Sequence, residues 1–183
     1  MAQRFTKLEK KYIGFFEKQH LFFIATTGTE GTVNVSPKGM DTLRVVDSNT
    51  VVWLNHTGSG NETSVHIQEN GRMTIMFCSF DKKPLILRLY GEAKVVHRHD
   101  AKWGEYGKIF DDYVGVRQYF EMNISLVQTS CGFAVPFYEY KGERDTLIKW
   151  ADGLGRDGIE DYWKNKNQIS LDGKQTNIVN NKI

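Results

Sequence analysis

Cysteine is scarce in this sequence. Of 183 residues only Cys78 and Cys131 are cysteines. They lie far apart and outside any CxxC or spaced Cys/His set, so structural zinc has no support. A chain of this length can bury its own core and has no need of a disulfide framework; both thiols read as buried or half-buried. An excess of charge of one sign is also missing. The 24 Lys and Arg stand against 22 Asp and Glu, a net charge of +2, which argues against electrostatic binding of nucleic acid. The most apolar run, residues 21–25, is far too short to cross a bilayer. Residues 1–11 are polar and basic and lack the apolar centre of a signal peptide. Residue 2 is Ala and the last residues read Asn181-Lys182-Ile183, so no lipidation signature is seen. A soluble, cytoplasmic protein without membrane or nucleic-acid partners is expected. Two nucleotide signatures are lacking as well: neither GxxxxGK[ST] nor a GxGxxG opening a helix occurs.

What is present points to strands. Hydrophobic residues make up 40% and aromatics 13%, enough for one domain over residues 1–183 with a proper core. Residues 7–19 carry Leu8, Tyr12, Phe15 and Phe16 at helical spacing. Short strands then follow at 21–27, 32–36, 43–46, 50–55, 72–80, 85–90 and 93–97, with turn residues between them and Gly91 as a candidate bulge. Residues 61–70 read as a helix, with Ser59 as N-cap, Glu62 reaching back in a capping box, and Asn70-Gly71 as the stop. Helical spacing returns over 100–121 through Trp103, Tyr106, Ile109, Phe110, Tyr113, Val116 and Phe120. Strands are expected at 122–129 and 132–140, helices at 143–151 and 157–165, and a loosely attached tail at 174–183. The class is mainly β, a closed or sandwich-like antiparallel sheet with flanking helices.

The segment Thr57-Gly58-Ser59-Gly60-Asn61-Glu62-Thr63 links a strand to a helix start. Free N–H groups and the positive end of the helix suit a phosphate there. Gly58 and Gly60 clear space for close approach, and Ser59, Asn61 and Thr63 add short donors. Taken alone, an ordinary Gly/Ser loop is the more economical reading of so short a pattern. The second piece is Asn34-Val35-Ser36-Pro37-Lys38-Gly39, where a strand ends and offers one lysine, a point charge suited to phosphate. Any single Lys in a turn is more often simply solvated.

These pieces, continued by His66-Ile67, Met76-Phe77-Cys78, Arg88-Leu89-Tyr90-Gly91, Gly132-Phe133-Ala134-Val135-Pro136 and Ser170-Leu171-Asp172-Gly173, resemble the pyridoxamine 5′-phosphate oxidase-related, FMN-binding split-barrel family. The resemblance spans residues 10 to 173. It implies a six-stranded antiparallel split barrel, a homodimer, and FMN at the subunit interface. By position Lys38 matches the family's phosphate-binding lysine. Asn61, Glu62 and Thr63 fall where the family's oxidases carry a Ser-Arg-Lys clamp, so the cations of that clamp are lost. Ser36, Pro37, Trp53, Leu54 and Asn55 fall on strands that line the flavin ring, with backbone contacts expected from 53–55. Arg88 matches the Arg of an Arg-x-x-Gly strand end, equally readable as a contact to flavin or partner chain and as a salt bridge. The implied cofactor-binding set is therefore Ser36, Pro37, Lys38, Trp53, Leu54, Asn55, Ser59, Gly60, Asn61, Thr63 and Arg88.

The oxidases' C-terminal motif of Arg and His that grips the vitamin phosphate is absent, which speaks against pyridoxamine phosphate itself as substrate. The expected function is an FMN-dependent oxidoreductase with an unknown small-molecule substrate. The alternative is a non-catalytic binder of flavin, deazaflavin or haem on the same barrel. No metal is expected: His97-x-His99 lacks a third ligand. His56 and His66 flank the 57–63 loop without an assigned role, and Trp150 or Tyr138 could cover a flavin face.

Overall fold

The computed structural model describes residues 2–179. Its elements run β1 (Gln3–Phe5), α1 (Lys10–Phe16), β2 (Phe22–Thr27), β3 (Val33–Lys38), β4 (Leu43–Val45), β5 (Thr50–His56), α2 (Glu62–Asn70), β6 (Arg72–Cys78), β7 (Ile86–Val96), α3 (Trp103–Tyr106), β8 (Val116–Ser130) and α4 (Thr146–Lys166). All strand pairs are antiparallel. The order is β3-β2-β6-β7-β8-β5-β4, and β1 pairs with the far end of β8. Alternation builds the core: in β2, Phe22, Ile24 and Thr26 are buried while the residues between them are half-buried. Leu43 and Trp53, from the opposite end of the strand order, join Phe22, Ile24, Phe77 and Phe120 in one buried cluster. The sheet therefore curls upon itself into a mainly β split barrel with flanking helices. Among the described residues it has eight strands where six were expected; β1 and β4, three residues each, are the marginal ones.

Several elements differ from the sequence reading, each for a local reason. The strands expected at 85–90 and 93–97 are one strand, β7, with a register shift between Tyr90 and Gly91. A Cβ at Gly91 would lie 1.9 Å from the Asn123 carbonyl oxygen, so the bulge tolerates glycine alone. The helix expected at 100–121 is helical only at α3. The helical spacing of Tyr113, Val116 and Phe120 coincides with a period-two run through Val116, Gln118, Phe120, Met122 and Ile124. Pairing with β7 on one edge and β5 on the other decides for the strand. Tyr106 and Phe110 cover its outer side in a second cluster with Leu54 and Tyr119, so β8 is buried on both faces where it begins. Residues 132–140 form no strand; Pro136 lacks a donor, and Gly132 at φ 65 turns the chain away.

Other boundaries agree. Gly71 ends α2 at φ 71, its N–H donating to Ile67 O. The two C-terminal helices meet at Gly155, the non-helical point inside α4. Cys78 is buried, but Cys131, expected at least half-buried, is exposed. Residues 174–179, expected as part of a loose tail, are docked: Thr176 and Ile178 are buried, and Ser64 Oγ donates to Thr176 O at 2.9 Å. Residues 180–183 of that tail lie outside the described residues. No helix among the described residues is long and apolar enough to cross a membrane.

Candidate functional site

The register of β5 against β8 shifts between Asn55 and His56, and the chain leaves the sheet there to form the 57–61 loop. Thr57 pins the departure. Its N–H and Oγ1 both donate to Gly115 O, at 2.8 and 2.9 Å. Trp163 Nε1, from α4, donates to Thr57 Oγ1 at 2.8 Å. Beneath the loop lies Arg117 of β8, 4% exposed. Its Nη1 donates to Gly60 O at 2.8 Å, Gly58 O at 3.3 Å and Asn167 Oδ1 at 3.0 Å. Asn167, just past α4 and fully buried, donates Nδ2 to Gly58 O at 3.0 Å and Ser59 O at 3.3 Å.

Positive charge dominates the buried side of this corner. Burial, and then the charge of Arg117, pulls Lys38 down to about 8. Burial, followed by Lys38 and Arg117, pulls His56 down to about 4. Burial also lowers Arg117, to about 10, opposed weakly by Tyr162 and Glu62. Among the described residues neither Lys38 nor Arg117 has a carboxylate ion-pair partner. Lys38 Nζ instead sits 5.1 Å from the centre of the Trp53 ring. Such a group of buried or half-buried cations is costly unless an anion joins it.

Lys38 opens onto a cleft of about 900 Å³, floored by Pro37, Lys38 and Thr57 to Ser59. Tyr140, Leu147, Trp150 and Tyr162 wall the other side. Tyr140 stacks on His20 at 3.5 Å between ring centres, and its hydroxyl donates to Glu143 Oε1 at 2.9 Å. That clasp fixes the otherwise irregular 131–145 segment at the mouth. The cleft is in the size range of small-molecule sites; its lining surface is mostly apolar and aromatic, with His20, Lys38, Glu143 and Arg144 among its polar groups.

Of the residues singled out from sequence, Pro37, Lys38 and Ser59 line the cleft, with Gly60 next in the loop. Ser36 precedes them on β3. Trp53 lies under Lys38 and stacks on Phe120 in the barrel core. Asn55 is buried; with its amide turned to suit both neighbours it donates to His56 O and accepts from Arg117 Nη2 at 3.1 Å. Asn61 is 2% exposed, and neither its side-chain oxygen nor its nitrogen has a partner. Thr63 Oγ1 accepts from Asn34 Nδ2 at 3.2 Å. Two residues stand apart: Leu54 packs in the second cluster, and Arg88 donates to Ser130 Oγ on β8 at 3.1 Å and does not line the cleft. The capping box is corrected. Asn61, not Ser59, is the N-cap of α2, and no side chain caps it. Glu62 accepts from the Leu171 N–H at 2.9 Å, a donor that the docked C-terminal turn brings to it. Trp150 lines the cleft; Tyr138 does not and is exposed.

Sequence reasoning misses the part that Arg117, His56 and Asn167 play in this corner. The helical reading of 100–121 hides Arg117; the period-two run from Val116 is the signal that puts it on a strand beside β5. Nothing local marks Asn167, which reaches the loop from far along the chain. His66 is buried, its Nδ1 3.0 Å from Thr26 Oγ1. His97 and His99 stack on each other, and no group of three potential metal ligands occurs among the described residues.

Residues 8–131 match the family model described as pyridoxamine 5′-phosphate oxidase. The chain is 36% identical over 174 residues to the pyridoxamine 5′-phosphate oxidase family protein ustO of Aspergillus flavus, covering 85% of this chain and 70% of that protein. Among solved structures it is similar to HupZ from Group A Streptococcus, with TM-score 0.51, 18% identity, and coverage of 65% of this chain and 91% of that one. A candidate pyridoxamine 5′-phosphate oxidase of Lactobacillus delbrueckii has TM-score 0.54, with 19% identity over 67% of this chain and 94% of its own. At such identities these structures bear on the fold alone.

Proposed function

Because the chain belongs to the pyridoxamine 5′-phosphate oxidase family, we propose that its cleft holds FMN and that the protein is an oxidoreductase acting on a small molecule. The observation that carries the reading is Lys38: a half-buried ammonium without a carboxylate ion-pair partner among the described residues, opening onto the cleft beside residues 57–59 of the loop that leads into α2. The fit of a flavin nucleotide rests on this chain's own groups. The cleft has the volume of a small-molecule site, and the orphaned amide of Asn61 beside the loop lacks a partner that a phosphate or its water could supply.

Lys38 and the 58–61 backbone would hold the phosphate end. Pro37, with the backbone of 53–55, would border the ring, and Trp150 and Tyr162 would limit access of water from the other side. Bound FMN would supply the electron chemistry, so the protein needs to bind, orient and exclude water rather than to furnish an acid–base triad.

We take the working form to be a homodimer. The support is apolar surface: Val33 and Val35 on the edge strand β3 are 71% and 60% exposed, and Phe133 and Phe137 stand open in the 131–145 segment. Two free thiols suit a reducing, cytoplasmic setting.

The absorbance spectrum of the purified protein tests this. A yellow protein that releases FMN on heating, and whose flavin is reduced by NADH or NADPH and reoxidised by an acceptor, is the expected result. A flavin that no donor reduces would leave a binding protein rather than an enzyme. A colourless protein that takes up no added FMN would overturn the reading.

A further inference from the structure

The family's oxidases place cations at the start of the helix; here that place holds Asn61, Glu62 and Thr63. The structure shows a different source of positive potential. Arg117 and Asn167 approach the loop from the side of β8 and α4 and hold three successive carbonyls, those of Gly58, Ser59 and Gly60. No peptide bond among the described residues is cis. In a trans peptide the carbonyl and the next N–H point in opposite directions, so the N–H groups of Ser59, Gly60 and Asn61 point away from Arg117 and Asn167. Successive N–H groups turned to one side form an anion-binding concavity.

We infer that Arg117 and Asn167 are positioning residues: a buried bracket that turns these carbonyls inward, so that the N–H groups of Ser59, Gly60 and Asn61 face the cleft and take up a phosphomonoester. This inference rests on the proposed flavin nucleotide for the identity of that ester. Three further observations support it. Arg117 is almost fully buried, has no carboxylate partner among the described residues, and its Nε lacks any partner. Glu62, whose charge Arg117 feels, is engaged by the Leu171 N–H. Lys38 adds a second cation from the end of β3, in the same cleft. The guanidinium is therefore hydrogen-bonded to carbonyl and amide oxygens alone, with Glu62 acting on it only through its field, and its own field passes through the loop toward whatever sits on the N–H side.

The bracket should act on the phosphate and not on the ring, and this separates it from a merely structural role. Binding of FMN and of riboflavin would be compared on flavin-stripped protein by quenching of flavin fluorescence, for wild type, Arg117→Met, Arg117→Lys and Asn167→Ala, with circular dichroism to check the fold. Wild type should prefer FMN. Arg117→Met and Asn167→Ala should lose about ten- to a hundredfold in FMN affinity with riboflavin affinity unchanged. Arg117→Lys, which keeps the charge but not the fork, should fall between. Equal losses for the two flavins would overturn the inference. If Arg117→Met does not fold, Asn167→Ala and Arg117→Lys decide by the same ratio. If wild type binds neither flavin, the reading of the cleft as a flavin site fails, and inorganic phosphate decides the rest. Stabilisation of wild type by phosphate over chloride at equal ionic strength, lost in Asn167→Ala, would uphold the bracket, and its absence would overturn it.

Discussion

Burial, reinforced by the nearness of other cations, disfavours the protonated forms of His56 and Lys38, and two pH windows follow. For His56, folding lowers the pKa from 6.5 to about 4. The unfolded chain therefore binds the extra proton between those values, so stability is lost as pH falls from 6.5 toward 4. Melting temperatures of the flavin-free protein should drop across that interval, and His56→Gln should reduce the drop; the remainder belongs to His97, which burial likewise lowers to about 4. For Lys38, folding lowers the pKa from 10.5 to about 8. An anion prefers the protonated lysine, so FMN affinity should fall as pH rises through about 8. Lys38→Arg should remove the fall, and Lys38→Met should cost about tenfold or more in affinity at neutral pH. Titration of flavin fluorescence across pH checks both. Lys38 is legible from sequence because a strand end, a Pro and a lone cation sit together in one short run. Arg117 is not, because its role exists only once β8 lies beside β5 and α4 has closed over the loop.

Among the elements, those defined by local chemistry are the readable ones. Gly71 stops α2 by its own backbone freedom, and Gly155 divides α4 in the same way. Elements set by their partners are not: the start of β8 satisfies helical and strand spacing alike, and the capping box at Ser59 gives way because Glu62 finds a donor in Leu171. The bulge in β7 gives a test. Gly91→Ala forces a methyl group against the Asn123 carbonyl and should destabilise by at least about 2 kcal/mol in chemical denaturation. The brace from α4 gives another. Trp163→Phe keeps most of the packing but removes the donor to Thr57 Oγ1, at a cost of about 1 kcal/mol by the same measurement.

For the whole molecule, the curled sheet is legible from the cadence of short strands and turns, and so is the marginal β4, expected at 43–46, whereas β1 is not. β1 is three residues in a polar segment, ordered by register against residues 127–129 rather than by its own pattern. The apolar edge of β3 leads to the largest-scale expectation. Wild type should sediment as a dimer, and the double change Val33→Asp with Val35→Asp should shift it to monomer while leaving the circular dichroism unchanged. The brace of the loop has a consequence in time as well. Every strand among the described residues lies between residues 3 and 130, but Trp163, Asn167 and Thr176 are synthesised after all of them. On the ribosome the barrel can close while its ligand corner is still unsupported. Loading would then be a late step in maturation.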